Sequence, residues 1–236
     1  MIEQRRSWLK GMARYLLSTR PRRAITFGSL RRVSPISRTF GFDRGQPIDR
    51  FYIERFLNAH AMDIRGMVLE VGDNTYALKF GRDRVTKCDV LHVGAGHPGA
   101  TIVADLTRGD GLPSDAFDCI VLTQTLQFIY DVRAAVRTLH RILKPGGVVL
   151  TTVPGISQIS RFDMDRWGEC WRFTTLSMRR LFEDVFPAAE VSIKAHGNVL
   201  TAVALLHGLA VEELRPEELE HRDADYELVI TARAVK

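Results

Sequence analysis

Apolar residues along this chain recur with two periods. From Met67 onward, short apolar runs of strand length alternate with stretches whose apolar residues return every three or four positions. The runs near Met67–Val71, Val85–Leu91, Thr101–Asp105, Cys119–Thr123, Val148–Val153, Val191–Ala195 and Tyr226–Ala232 read as strands. The longer stretches predict helices near Asp131–Leu143, Leu176–Phe186 and Val199–Leu209. Such alternation argues for an α/β domain, a mostly parallel sheet with helices on both faces. Upstream, Pro47 suits a first helical turn, and Ile48–Ala61 continues as a helix burying Phe51, Ile53, Phe56 and Leu57. Ser7–Leu17 aligns Trp8, Leu9, Met12, Tyr15 and Leu16 on one helical side, with Arg5, Arg6, Lys10 and Arg14 around the other. Arg20–Gln46, rich in Arg, Ser, Gly and Pro, reads as a linker. Two regions follow: residues 1–46, a basic helix and linker, and residues 47–236, the main domain.

Composition narrows the class. The chain has 236 residues, 45% hydrophobic and 26% charged, as a globular domain of ordinary size requires. The net charge of +5 is local. Residues 1–44 carry eleven Lys/Arg against two acids, and the remainder nets −4. Such an arm suits an anionic membrane surface, a phosphorylated substrate or an acidic partner, or is a solvated tail; no nucleic-acid docking motif accompanies it. Cys88, Cys119 and Cys170 are widely spaced and form no CxxC pair, which suits free thiols in a reducing compartment. The longest apolar run, Val199–Leu206, falls far short of the roughly 18 residues that span a bilayer, and the N-terminus lacks a signal-peptide core. The expected location is cytoplasmic. No metal-ligand cluster stands out.

The chemistry concentrates at strand ends. Val68-Leu69-Glu70-Val71-Gly72 is an apolar strand closing on an acid and a glycine, and Asp73 follows. Ala104-Asp105-Leu106 precedes Leu112-Pro113 and Phe117-Asp118, and Thr123-Gln124-Thr125-Leu126 ends the next strand. Leu143-Lys144-Pro145-Gly146-Gly147 then leads into another apolar strand. In this order, over residues 67–153, these pieces resemble the motifs of a class I S-adenosylmethionine-dependent methyltransferase, type 11-like. The resemblance implies a Rossmann-like, seven-stranded, mostly parallel sheet with the last strand antiparallel. It also implies S-adenosylmethionine as cofactor. Glu70, Gly72 and Asp73 would lie at its methionine side, Asp105 and the Leu106 backbone at adenine, and Gln124 on the methyl-transfer side. The ribose acid would be Asp89, 17 residues after Gly72, with His92 its neighbour. Two features depart from the family pattern: Gly72 lacks a glycine-rich continuation, and the strand-two to strand-three segment is short. The dinucleotide fingerprint G-x-G-x-x-G is absent, which disfavours a dehydrogenase.

A narrower resemblance covers residues 41–53 and 163–174, which look like a bacterial methyltransferase subgroup found with glycan and natural-product synthesis proteins. It implies a small-molecule or saccharide acceptor, with O-methylation the leading reaction. Arg166, Trp167, Trp171 and Arg172 are candidate acceptor contacts, because indoles stack on sugar faces and guanidinium binds anions. Equally, the indoles cap the core and the arginines pair with local acids. Asp49 and Arg50 are candidates for a facing lid. His196, at the end of the sixth strand, is the first candidate general base, followed by Tyr52 and Asp163. Transfer to nitrogen or sulfur, and a noncatalytic cofactor-binding module, are the alternatives. Oligomeric state is not legible.

Overall fold

A computed structural model of the chain describes Thr26 and residues 28–236. The expected helix over Ser7–Leu17 lies outside the described residues. Residues up to Ser34 form one unit, whose described part holds a 3-10 turn at Gly28–Leu30; Pro35–Lys236 form a second.

Seven strands build one sheet: β1 (Gly66–Val71), β2 (Val85–His92), β3 (Ile102–Val103), β4 (Phe117–Thr123), β5 (Leu143–Pro154), β6 (Val191–His196) and β7 (Val229–Val235). Their order is β3-β2-β1-β4-β5-β7-β6. The first five pair in parallel, while β7 runs antiparallel to both β5 and β6. The α-helices among the described residues are α1 (Ile48–Ala59), α2 (Val132–Ile142), α3 (Arg161–Trp167), α4 (Thr175–Glu183), α5 (Val199–His207) and α6 (Pro216–Glu220).

The central strands are buried on both faces, which explains their continuous apolar runs. In β4, Phe117, Ile120 and Leu122 join the layer with α2 and α4, while Cys119 and Val121 join the layer with α1 and α5. Burying each aliphatic side chain of that size stabilises the fold by about 1.5–3 kcal/mol. Helix α2 starts where Asp131 accepts the Ala134 amide at 2.9 Å, and it buries Ala135, Val136, Leu139 and Ile142 at helical spacing.

Several boundaries differ from expectation. The final strand lies three residues further on, at Val229–Val235, because Tyr226 closes a turn onto the Asp223 carbonyl. Strand β3 shrinks to two residues. No regular helix follows β1: a single π turn, Ala77–Gly81, and a 3-10 turn, Arg82–Arg84, lead directly into β2. Leu143–Gly147 does not simply separate helix from strand. Leu143 already pairs with Phe117, and residues 144–147 bulge before Val148 pairs with Cys119. Lys144 reaches Asp118 at 2.8 Å, a structural ion pair. Residues 35–46 are irregular, yet they are held: Ile36 and Ser37 donate to the His207 carbonyl, and Gly41 at φ +90° abuts the Leu209 carbonyl.

Candidate functional site

The sheet order reverses direction between β1 and β4, and the carboxyl ends of these strands hold two adjoining clefts, as expected at such a switch point. Both are bordered by Val71, Gly72, Thr123, Gln124 and Phe128. The first, about 440 Å³, is walled by Leu91, His92, Ala104, Leu106, Ile129 and Trp167, with Asp105 at its edge. The second, about 350 Å³, is polar, with Asp49, Arg50, Glu70, Asp73, Tyr76 and Asp163 among its walls.

Gly72 has φ +97°, and a Cβ built there would meet nothing within 4 Å, so its backbone lies bare toward open space. Glu70 is 2% exposed, and its carboxylate accepts the Tyr76 amide at 3.2 Å and the Ala77 amide at 2.7 Å. Burial outweighs those bonds and pushes its pKa up from 4.5 to about 7. Asp49 is likewise held above the usual carboxylate range by burial, against the opposing pull of Arg50. The Arg50 guanidinium donates to the Tyr76 hydroxyl at 3.0 Å, tying α1 to the loop after β1. The Asp105 carboxylate accepts both the amide and the hydroxyl of Thr107, which fixes the turn after β3.

The polar cleft also holds glutamines. Gln124 adopts φ +45° at the end of β4. The Gln127 amide nitrogen donates to the Gln124 carbonyl at 2.9 Å and to the Gln124 side-chain oxygen at 3.3 Å. Gln124 Nε2, Gln127 Oε1 and Gln158 Oε1 are all buried without a hydrogen-bond partner.

The structure gathers Glu70, Gly72, Asp73, Asp105, Leu106, Gln124, Asp49, Arg50 and Asp163 at the clefts. Of the others, only Trp167 lines a cleft. His196 lines neither cleft: its Nε2 lies 3.0 Å from the Thr231 hydroxyl on the antiparallel side of the sheet, and burial pushes its pKa down to about 4. Tyr52 stacks on it at 5.7 Å and donates its hydroxyl to the Leu219 carbonyl at 2.9 Å, so the two leading bases are packing residues. Asp89 sits three positions short of the end of β2, where Lys87 and the Thr101 hydroxyl bind its carboxylate; His92 takes the cleft position. Trp167 lines the first cleft and meets His92 edge-on at 6.1 Å. Trp171 donates Nε1 to the Ile129 carbonyl and stacks on Tyr130. Arg166 lies over the Phe162 ring. Arg172 pairs with Glu169 at 2.8 Å and binds the Ser157 and Gln158 carbonyls, so it clamps the loop rather than facing a ligand. Sequence reasoning missed Tyr76, Gln127, Gln158 and Glu169. Only Gln127 carried a signal, a polar residue inside the apolar Leu126–Phe128 turn.

A sheet of this order with β7 reversed, and a two-part cleft at its switch point, defines a class I methyltransferase fold. Residues 55–151 match the family model described as a methyltransferase domain. A search of curated protein sequences finds no match. Among solved structures, a SAM-dependent methyltransferase from Archaeoglobus fulgidus aligns at 10% identity and TM-score 0.52, covering 79% of this chain and 94% of that one. The N-methyltransferase NodS from Bradyrhizobium japonicum, in complex with S-adenosyl-L-homocysteine, aligns at 15% identity and TM-score 0.52, covering 82% and 89%. The [4+2]-cyclase SpnF aligns at 17% identity and TM-score 0.52, covering 82% and 84%. At such identities the structural likenesses carry the fold alone. Residues 55–151 are thus similar to a methyltransferase domain, within a fold of the class I, S-adenosylmethionine-dependent type.

The residues fit that cofactor. The bare Gly72 backbone and the shared border of the two clefts suit a ligand with an apolar nucleoside half and a polar amino-acid half. Among the described residues, no helix is long and apolar enough to cross a membrane.

Proposed function

We propose that this methyltransferase acts on oxygen in a small polyhydroxylated acceptor, a saccharide or related metabolite, seated in the second cleft. The observation that carries this reading is the wall of that cleft. It sets carboxylates and neutral amides around the space, with Arg50 its one cationic side chain among the described residues, which suits hydroxyl groups and disfavours anions. S-adenosylmethionine, when bound, supplies an electrophilic methyl group on a sulfonium. The chain's own part is to orient the two ligands and accept a proton. Asp105 and the Leu106 backbone hold the adenine end, Trp167 and His92 wall the nucleoside, and Gly72 admits close approach. A hydroxyl acceptor needs a base. Asp49, whose carboxyl burial holds above the usual carboxylate range, is the first candidate, and Asp163, in the same wall, is the second.

The acidic wall also favours an amine acceptor, which makes N-methylation the second reading. The three free cysteines support a cytoplasmic site of action, and the basic charge of residues 1–44 supports an acidic partner or membrane surface for the arm. Cell extract incubated with the protein and an isotopically labelled methyl donor tests the main reading by mass spectrometry. Label on an oxygen of a polyol product is expected; label on nitrogen overturns it.

A further inference from the structure

The chain leaving β5 carries α3 past both clefts. Asp163 and Trp167 lie four positions apart on that helix and so share one of its faces. Asp163 belongs to the wall of the second cleft and Trp167 to the wall of the first. One turn of helix therefore joins two ligand spaces.

The feet of α3 are tied together. Glu169 accepts the Ser160 amide at 3.0 Å and pairs with Arg172, which in turn binds the Ser157 and Gln158 carbonyls. Between these feet, none of the 7 residues Arg161–Trp167 is buried. Phe162 is 61% exposed, and Arg166 spends its guanidinium on the Phe162 ring and carbonyl. The indole of Trp167 rests against Phe128 at 6.0 Å and His92 at 6.1 Å between ring centres, yet it stays 42% exposed. So short a helix is marginal by itself, and packing of its apolar face normally holds it. Here the indole on that face fronts a cleft rather than a core. Segments with so few buried contacts open at low free energy.

We propose that Trp167 is a positioning residue. A nucleoside seated in the first cleft covers the indole, fixes α3 and so sets Asp163 at the second cleft before an acceptor binds. The inference rests on the proposed placing of the cofactor's nucleoside in the first cleft, and it deepens that reading by giving an order, cofactor first and acceptor second. An acceptor arriving alone meets a wall whose Asp163 is not yet held.

Hydrogen–deuterium exchange on the full chain, read by mass spectrometry, tests this with two probes. They are S-adenosylhomocysteine and 5′-methylthioadenosine, which keeps the nucleoside but lacks the amino-acid half. Amides of residues 161–168 are expected to exchange at least about tenfold more slowly with either ligand at saturation than in the free chain. Trp167→Ala should abolish that slowing even when calorimetry shows the variant saturated with S-adenosylhomocysteine, and Trp167→Phe should restore most of it. The indole is exposed, so neither variant threatens the fold. Slow exchange of residues 161–168 without ligand overturns the inference, as does ligand binding without slowing, or slowing that survives Trp167→Ala. Slowing by S-adenosylhomocysteine but not by bound 5′-methylthioadenosine overturns it too, because the amino-acid half would then hold α3. No binding of S-adenosylhomocysteine by the unaltered chain overturns the cofactor site itself and this inference with it, so the two failures are told apart.

Discussion

On the antiparallel side of the sheet, Tyr52 and His196 stack face to face, and both find protein partners in Leu219 and Thr231. At the rim, Gln127 is buried and Gln124 and Gln158 are partly buried, yet each leaves an atom unpaired. Both regions bury chemistry-bearing side chains near strand ends. The difference is in their hydrogen bonds: the fold completes them in one place and leaves an atom of each side chain unmet in the other. A histidine at the end of a strand is therefore no sign of catalysis until its partners are known.

The largest effect expected is at the rim. Gly72→Val puts a branched side chain at φ +97° and into the open cleft, and should lower S-adenosylhomocysteine affinity by more than about 100-fold while circular dichroism shows the fold kept. Retained affinity would remove Gly72 from the cofactor site.

The two regions should also answer pH in opposite directions. Glu70, raised from 4.5 to about 7, keeps its proton when folded, so its contribution is full below about pH 4.5 and is lost as pH rises through about 7. His196, lowered from 6.5 to about 4, stays neutral when folded, so stability is lost as pH falls from about 6.5 through about 4. Denaturant titrations across this range should show Glu70→Gln removing up to about 3 kcal/mol of the alkaline loss. An unchanged slope would mean that the carboxyl is better solvated than its 2% exposure implies.

Smaller changes sharpen the contrast. Asp105→Ala should weaken cofactor binding by about tenfold in calorimetry, with melting temperature little changed because the residue is exposed. Tyr52→Phe should do the reverse: it strands the Leu219 carbonyl and costs about 1 kcal/mol of stability, with kcat/KM for labelled-methyl transfer unaltered. A drop in kcat at unchanged stability would return Tyr52 to the candidate bases.

Much of the parallel half of the sheet is legible in the pattern. The runs at Met67–Val71, Cys119–Thr123 and Val148–Val153 are doubly buried strands, and each lies within an observed one. Legibility fails where tertiary pairing overrides local preference. Strand β7 extends to Val235 because it pairs along β5 and β6, and Leu143 is drawn into β5 by Phe117. The site divides in the same way. Glu70, Gly72, Asp105 and Gln124 are marked by their place at strand ends. Asp89 carries the right residue type near a strand end, but Lys87 and Thr101 take up its carboxylate.

The sequence alone determined the strand–helix order, the strand-end motifs and so the cofactor class, because periodicity and strand ends are local properties of the chain. Tertiary structure alone decided which polar side chains are spent on the fold and which remain unpaired. Trp167 and Trp171 are four residues apart, yet one walls the first cleft and the other is tied to the Ile129 carbonyl. The reason is that hydrogen-bond satisfaction depends on partners brought from distant elements, and no local pattern records who those partners are.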